Sequence, residues 1–193
     1  MLLDEEAERR RYTLHENSPE NPGYRSYLEA FFGSVITFPS IVDAGFCESW
    51  KIFDYGSGPE PALVALMREK GLDARGWDPF FAKDTERFPG GADLVTCLEV
   101  AEHFKTPRED FARLSESVRS GGFAAIGTRL VDTLPPRTDG DYGPFLSWWY
   151  RQDPTHVSFY SKKALCHVAG EAGLVYLGEA APHVHVFRKE TAR

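Results

Sequence analysis

With 193 residues, 42% of them hydrophobic and 13% aromatic, the chain is sized for one well-filled α/β domain. A formal net charge of −7, from 29 acidic against 22 basic side chains, argues against binding along a phosphate backbone, which needs a basic stripe to displace counterions. Cys47, Cys97 and Cys166 stand far apart in no C-x-x-C spacing, which excludes the usual zinc and redox signatures and predicts reduced thiols in the cytoplasm.

The opening "MLLDEEAERR" turns acidic at once and lacks the apolar core of a signal peptide. No run approaches the roughly 20 apolar residues of a membrane span, so a soluble cytoplasmic protein without a membrane partner is expected. The basic "ERRR" of residues 8–11 reads as a solvated helix face. His15, in "LHENSPENPGY", reads as a loop histidine. "GYRSYLEAFFGSVITF" then mixes apolar and aromatic residues at helical spacing, so residues 1–50 are predicted to form a helical annex or lid ahead of a main domain over 51–193.

"KIFDY" is a short apolar run suited to a buried parallel strand. A glycine turn follows, then a helix with Pro59 in its first turn and Gly71 at its end. "DARGWD" supplies a second strand ending at Asp78, and "ADLVTCL" a third. "TPREDFARLSESVRSGG" predicts a helix opened by a capping box of Thr106 and Glu109 and closed by its glycines. "FAAIGTRL" is the next strand. Residues 130–157 form a long loop rich in proline, glycine and aromatics, and loops of that length in compact domains are functional or disordered. Ser161 caps the helix "SKKALCHVAGEAG", and "LVYLGEA" with "HVHVFRK" makes an antiparallel pair on which His183 and His185 share a face. This alternation of strands and helices predicts an open, mainly parallel sheet covered on both sides, with its ligand beyond the carboxyl ends of the strands.

The turn "DYGSGPEP" sits at that edge. It lacks the lysine of a phosphate loop, and Pro61 stands where a dinucleotide fingerprint needs its third glycine. Asp54 at the strand end and Glu60 at the helix start repel a diphosphate and favour a cationic ligand. Asp78 is placed for a ribose diol. S-adenosylmethionine, with its ammonium, sulfonium and ribose, meets these conditions.

The ordered segments "FDYGSGPEPALVALMREKG", "GWDPF", "ADLVTCLEVAEHF" and "LSESVRSGGFAAIGTR" resemble the motifs of class I S-adenosylmethionine-dependent methyltransferases across residues 50–188. The resemblance implies a Rossmann-like three-layer α/β sandwich whose seven-stranded, mainly parallel sheet has an antiparallel last strand. By motif match, Asp54, Gly56, Ser57 and Gly58 would hold the methionine portion. Asp78 would take the ribose, Pro79 and Phe80 would border the adenine, and Leu98 and Glu99 would flank the cofactor. "FAKDTERFPGG" is too short and irregular for the family's third strand, which leaves the residue meeting the adenine amine unassigned.

Glu99, Glu102 and His103 of "LEVAEHF" have the spacing that puts three side chains on one face of a helical turn. With His156 from "RQDPTHVSFYS" they make an oxygen and nitrogen set acceptable to Mg²⁺, Mn²⁺, Fe²⁺ or Zn²⁺. The pattern resembles the ubiquinone-pathway O-methyltransferases and the small-RNA 2′-O-methyltransferases, which implies a divalent ion chelating hydroxyl oxygens. The residues equally allow a metal-free site with His103 or His156 as general base, or a His103 that merely ties its turn to the sheet. Trp148, Trp149 and Tyr150 read as acceptor-pocket walls or as cover for the sheet edge. Arg129 and Arg151 are candidate anchors for an anionic acceptor, ranked no higher than surface arginines.

The function expected is therefore methyl transfer from S-adenosylmethionine to an oxygen of a small-molecule acceptor. The alternatives are a metal-dependent RNA 3′-end 2′-O-methyltransferase, against which the acidic balance weighs, a non-catalytic cofactor-binding module, and a NAD-binding oxidoreductase. The acceptor's identity and the oligomeric state stay open.

Overall fold

The computed structural model describes residues 3–14, 18, 20–135 and 142–191, so His15 lies outside the described residues. At the centre is the apolar run read as a buried strand. This strand, β1 (Lys51–Tyr55), exposes only its first residue and pairs in parallel with β2 (Asp73–Trp77) and β3 (Ala92–Leu98). The sheet continues through β4 (Val118–Gly127), parallel to β3, to β5 (Leu174–Ala181) and β6 (Val184–Lys189), which pair antiparallel with each other. β6 is also antiparallel to β4, giving the order β2-β1-β3-β4-β6-β5.

Helices cover both faces. Ahead of β1 lie α1 (Glu5–Thr13), α2 (Pro22–Ile36) and α3 (Pro39–Asp43). Leu28, Phe31, Phe32 and Val35 of α2 share one apolar cluster with Leu63 and Met67 of α4 (Ala62–Glu69) and with Leu94 and Phe123 of the sheet. Each such side chain, fully buried, contributes roughly 1.5–3 kcal/mol of transfer free energy. On the other face, α5 (Pro107–Ser117) and α7 (Lys162–Glu171) bring Phe111, Leu114 and Leu165 against Val95 and Phe187. A single turn, α6 (Gly143–Leu146), lies in the long loop before α7.

The three-layer α/β sheet with its antiparallel carboxyl-terminal pair is the expected one, but six strands form among the described residues rather than seven. The segment from Asp78 to β3 makes only an isolated bridge between Asp78 and Ala82, leaving β2 as the edge. A further parallel strand needs a crossover of about a dozen or more residues, and this segment is too short to hold both. Instead Phe88 turns inward and the Arg75 guanidinium stacks 4.2 Å from its ring.

Several punctuation signals fall elsewhere than expected. α4 begins at Ala62, behind Pro61, so Pro59 belongs to the turn. Asp110, not Glu109, reaches back to cap α5, accepting from the Thr106 N–H at 2.9 Å and its hydroxyl at 3.2 Å. The glycines after α5 do not stop it. The helix runs directly into β4, and Gly121 and Gly122 lie where the β3–β4 register slips. Ser161 does cap α7, accepting from Ala164 N–H. Among the described residues no helix is long and apolar enough to cross a membrane.

His183 and His185 do not share a face. His183 occupies the β5–β6 turn at φ +68°, while His185 is fully buried on β6 with neither ring nitrogen hydrogen-bonded among the described residues. Glu179 approaches its Nδ1 only to 3.6 Å, beyond hydrogen-bond length. Burial holds the His185 imidazole below its ordinary 6.5, with His183 and Lys162 adding to the effect and Glu179 and the Thr128 backbone opposing it. Its contribution to stability is thus complete above pH 6.5 and is lost as pH falls through the depressed folded value. His185→Phe removes a buried group whose unmet hydrogen bonds cost roughly 1–3 kcal/mol. Asp54, Glu99 and His156 titrate in both proteins, so the variant is expected to differ by losing less stability than the wild type between about pH 7.5 and 5, and parallel pH slopes would contradict this.

Candidate active site

The carboxyl ends of β1, β2, β3 and β4 open onto a cleft of about 1090 Å³. Ligand pockets run to roughly 300–1,000 Å³, so a cofactor and a second molecule fit together. Its floor is the glycine turn. Gly56 sits at φ +85°, and a Cβ there would lie 2.5 Å from Val100, so the turn can pass under Val100 only as glycine. Gly76 on β2, not singled out from the sequence, permits the same closeness on the other side, since a Cβ there would lie 2.8 Å from Ser57.

The turn's N–H groups decide what it can face. Gly56 and Ser57 both donate to the Trp77 carbonyl, at 2.7 and 3.0 Å, and Gly58 donates to Asp78 Oδ2 at 3.0 Å. A phosphate cradle needs such groups turned toward the ligand. Here all three are spent inside the protein, and the surrounding cleft presents the carboxylates Glu60, Asp78 and Glu99. Among the described residues the buried Ser57 hydroxyl has no partner, and Gly58 faces open space. These features fit a cationic adenosine compound and not a diphosphate.

Of the residues expected at the cofactor, Gly56, Ser57, Gly58, Asp78, Pro79, Phe80, Leu98 and Glu99 line the cleft. Asp54 does not. It is buried behind the turn, where its Oδ1 accepts the Thr96 hydroxyl at 2.7 Å, and burial pushes its carboxyl up to about 7. The charge argument built on Asp54 is correspondingly weakened at neutral pH. Asp78 is itself a structural clamp: Oδ1 accepts from Phe80 and Phe81 N–H at 2.8 and 3.1 Å, while Oδ2 holds Gly58. One lone pair on Oδ2 remains for a ligand hydroxyl.

Next to the turn, along β3, the second constellation takes a form the spacing did not predict. Glu99 adopts φ +52°, which breaks helical continuity, and residues Ala101–His103 make a single 3₁₀ turn. Glu99, Glu102 and His103 therefore do not share one helical face. The donor atoms brought within 4.8 Å of one another are those of Glu102, His103 and His156, with Glu99 outside that cluster. The long loop is pinned there because the Glu102 carbonyl accepts from Val157 and Ser158 N–H, both at 2.9 Å, and Tyr160 donates to the Ala101 carbonyl. His103 Nδ1 meets the Thr155 carbonyl at 3.0 Å, and His156 Nδ1 meets that of Tyr150 at 2.6 Å. Donation through Nδ1 fixes the tautomer that leaves Nε2 as the basic nitrogen.

Glu102 is fully buried, its Oε2 accepts the Thr128 hydroxyl at 2.9 Å, and its Oε1 has no hydrogen-bond partner among the described residues. Burial raises its carboxyl against the pull of the Tyr150 and Thr128 hydroxyls. Burial, reinforced by Glu102, pushes Glu99 up to about 7. Burial and the neighbouring His103 lower His156, keeping it neutral at pH 7. An orphaned carboxylate oxygen beside two oriented imidazoles is a donor set that fits a divalent ion.

The roof comes from the first helices, whose cleft-facing residues the sequence did not reveal. Tyr24 and Tyr27 of α2 line the cleft, and the Tyr27 hydroxyl donates to Glu99 at 3.0 Å. α1 lays Glu8, Arg11 and Tyr12 over it through polar contacts, Lys105 with Glu8 at 2.5 Å and Arg11 with Asp153 at 2.7 Å. Burial opposes ionisation of Asp153, but hydrogen bonds from Arg11 and Thr155 outweigh it and hold the carboxyl well below the usual range. Trp149 and Tyr150 line the cleft, whereas Trp148 is buried among Phe145, Tyr150 and Phe159.

A Rossmann-like sheet with a glycine turn that offers no N–H to phosphate and opens on a carboxylate-lined cleft fits the class I S-adenosylmethionine-dependent methyltransferases. Residues 10–179 match the family described as "Methyltransferase domain", and the chain belongs to that family. The ubiquinone biosynthesis O-methyltransferase of Burkholderia vietnamiensis is 26% identical over 106 residues, 47% of this chain and 43% of that protein. Its Pseudomonas aeruginosa counterpart is 29% identical over 106 residues, with the same coverage. The matched region is thus less than half the length of these curated relatives.

Among solved structures, an O-methyltransferase family protein from Burkholderia thailandensis superposes with a TM-score of 0.55 at 15% identity, covering 95% of this chain and 63% of that one. NcsB1, an O-methyltransferase of neocarzinostatin biosynthesis solved with S-adenosylhomocysteine and 1,4-dihydroxy-2-naphthoic acid, gives 0.53 at 15% identity, with 95% and 63% covered. The [4+2]-cyclase SpnF gives 0.54 at 11% identity, with 92% and 86% covered. At these identities the likeness concerns the fold, which hosts more than one chemistry.

Proposed function

We propose that this protein transfers the methyl group of S-adenosylmethionine to a hydroxyl oxygen of a small molecule. The observation that carries the reading is the internal use of the Gly56, Ser57 and Gly58 N–H groups in a carboxylate-lined cleft. S-adenosylmethionine, when bound, supplies an electrophilic methyl on a sulfonium. The turn and Ser57 would hold its amino-acid end, Asp78 Oδ2 one ribose hydroxyl, and Pro79 and Phe80 the base. Tyr12, Tyr24 and Tyr27 line the cleft, and their rings would shield the reacting groups from water, which favours a step that neutralises charge. Beyond Glu99, the neutral His156 would accept the acceptor's proton at Nε2, with His103 as its neighbour, their rings 4.8 Å apart. Glu102, His103 and His156 would hold a divalent ion if one is used, and such an ion lowers the pKa of a coordinated hydroxyl. The ubiquinone biosynthesis O-methyltransferase relatives support oxygen as the target.

Thermal unfolding with added ligand tests this. S-adenosylhomocysteine at about 100 times its dissociation constant adds roughly 2.7 kcal/mol, which raises Tm by about 5–10 °C in a domain of this size. NAD at the same concentration is expected to give no shift. Stabilisation by NAD without stabilisation by S-adenosylhomocysteine overturns the reading.

A further inference from the structure

Four cations line the cleft among the described residues: Arg11, Lys105, Arg113 and Arg129. Three are neutralised in place, Arg11 by Asp153, Lys105 by Glu8 and Arg113 by Asp110. Among the described residues Arg129 has no carboxylate within ion-pair distance, though its charge reaches Glu99, and it is half-buried and firmly held. Its guanidinium lies 4.9 Å from the centre of the Trp149 ring, and Nη1 donates to His183 Nε2 at 3.2 Å. His183 is pinned for this task in a left-handed conformation, its carbonyl accepting from Thr128 N–H at 3.0 Å. A residue without glycine's freedom rarely adopts that backbone unless its surroundings impose it. Arg129 N–H in turn points at the Tyr150 hydroxyl at 3.5 Å, beside the Glu102 cluster. Arg151, by contrast, lies outside the cleft against Phe145.

Sheet order places this cation. The strand ends carrying Asp78, the glycine turn, Glu99 and Arg129 follow one another as β2, β1, β3 and β4. With strands about 4.8 Å apart, Arg129 stands roughly 10 Å from the glycine turn, on the side away from Asp78. That is the acceptor side of the proposed reaction. Its Nε–H and Nη2 edge is unused by His183, which is the paired-donor geometry that a carboxylate accepts side-on. Trp149, 61% exposed at the mouth, offers a flat ring beside it.

We propose that Arg129, stacked on Trp149 and braced by His183, is the specificity residue for an acceptor that carries a carboxylate on an aromatic ring, bound with its hydroxyl toward His156. The inference rests on the methyltransferase reading above. The test is calorimetry on the full chain, with and without S-adenosylhomocysteine, using 3,4-dihydroxybenzoate and 6-hydroxy-2-naphthoate, each against its carboxamide. The wild type is expected to bind at least one acid about tenfold or more tighter than the matching amide, as for a charge-assisted bidentate pair. Arg129→Gln is expected to abolish that preference while binding S-adenosylhomocysteine as the wild type does, and Arg129→Lys to restore it in part. No preference for either acid in the wild type, or an undiminished preference in Arg129→Gln, overturns the proposal. Absence of S-adenosylhomocysteine binding by the wild type overturns the methyltransferase reading instead, so the two failures are told apart.

Discussion

Asp78→Ala is expected to weaken S-adenosylhomocysteine binding by about 100-fold or more, equivalent to roughly 2.7 kcal/mol. Two losses combine. The side chain would accept a ribose hydroxyl, and it also fixes the loops on either side through Gly58, Phe80 and Phe81 N–H. Hydrogen bonds to a charged group contribute roughly 1.5–3 kcal/mol each, so the alanine variant also loses stability. Asp78→Asn separates the effects. Its amide oxygen can still hold Phe80 and Phe81, while its NH₂ group opposes the Gly58 N–H and cannot accept a hydroxyl. This variant keeps two of the three hydrogen bonds, so it should unfold at a higher temperature than Asp78→Ala yet bind the ligand at least about tenfold more weakly than the wild type. Calorimetry giving it wild-type affinity would remove Asp78 from the cofactor site.

How much of this was legible in the sequence depended on whether the signal was local. Strand β1, the turn, the Ser161 cap and the terminal antiparallel pair each follow from a few adjacent residues, and all appear. That the glycine turn, Asp78 and Glu99 line one cleft was legible too, because strand ends carry their own punctuation. What failed needed contacts between distant segments. Asp54 looked like a ligand by position, but Thr96, on the neighbouring strand, draws it behind the turn. Glu99, Glu102 and His103 had helical spacing, yet the hydrogen bond from Glu99 N–H to the Gly127 carbonyl at 2.8 Å holds Glu99 to the sheet while the 3₁₀ turn begins beyond it. Nothing adjacent to Arg129 announced that His183, 54 residues on, would hold it. The turn's N–H partners, which exclude a diphosphate more directly than any carboxylate, belong to β2 and its end and were equally out of reach.

The His156 cluster carries the second large effect. His156→Ala is expected to lower kcat for methyl transfer to the hydroxy acid selected by calorimetry by about 10²–10⁴, the range for loss of a positioned acid or base. S-adenosylhomocysteine affinity should hold within about threefold, because His156 belongs to the loop after β4 and the cofactor residues end at Glu99. Glu102→Gln then distinguishes a ligand set from a metal-free base. The amide keeps the volume and can still accept the Thr128 hydroxyl, and the unpartnered position at Oε1 spares it a broken bond. If Glu102 ligates an ion, the wild type should hold one equivalent of Mn²⁺ by elemental analysis after dialysis. The glutamine and His156→Ala variants should hold markedly less, and with all three proteins metal-free their unfolding midpoints should lie near the wild type's, because a bound ion itself stabilises the folded state. If the site works without metal, Glu102→Gln should retain most activity while His156→Ala does not. Both variants turning over within about threefold of the wild type would leave the cluster a brace for the long loop and move the chemistry elsewhere in the cleft.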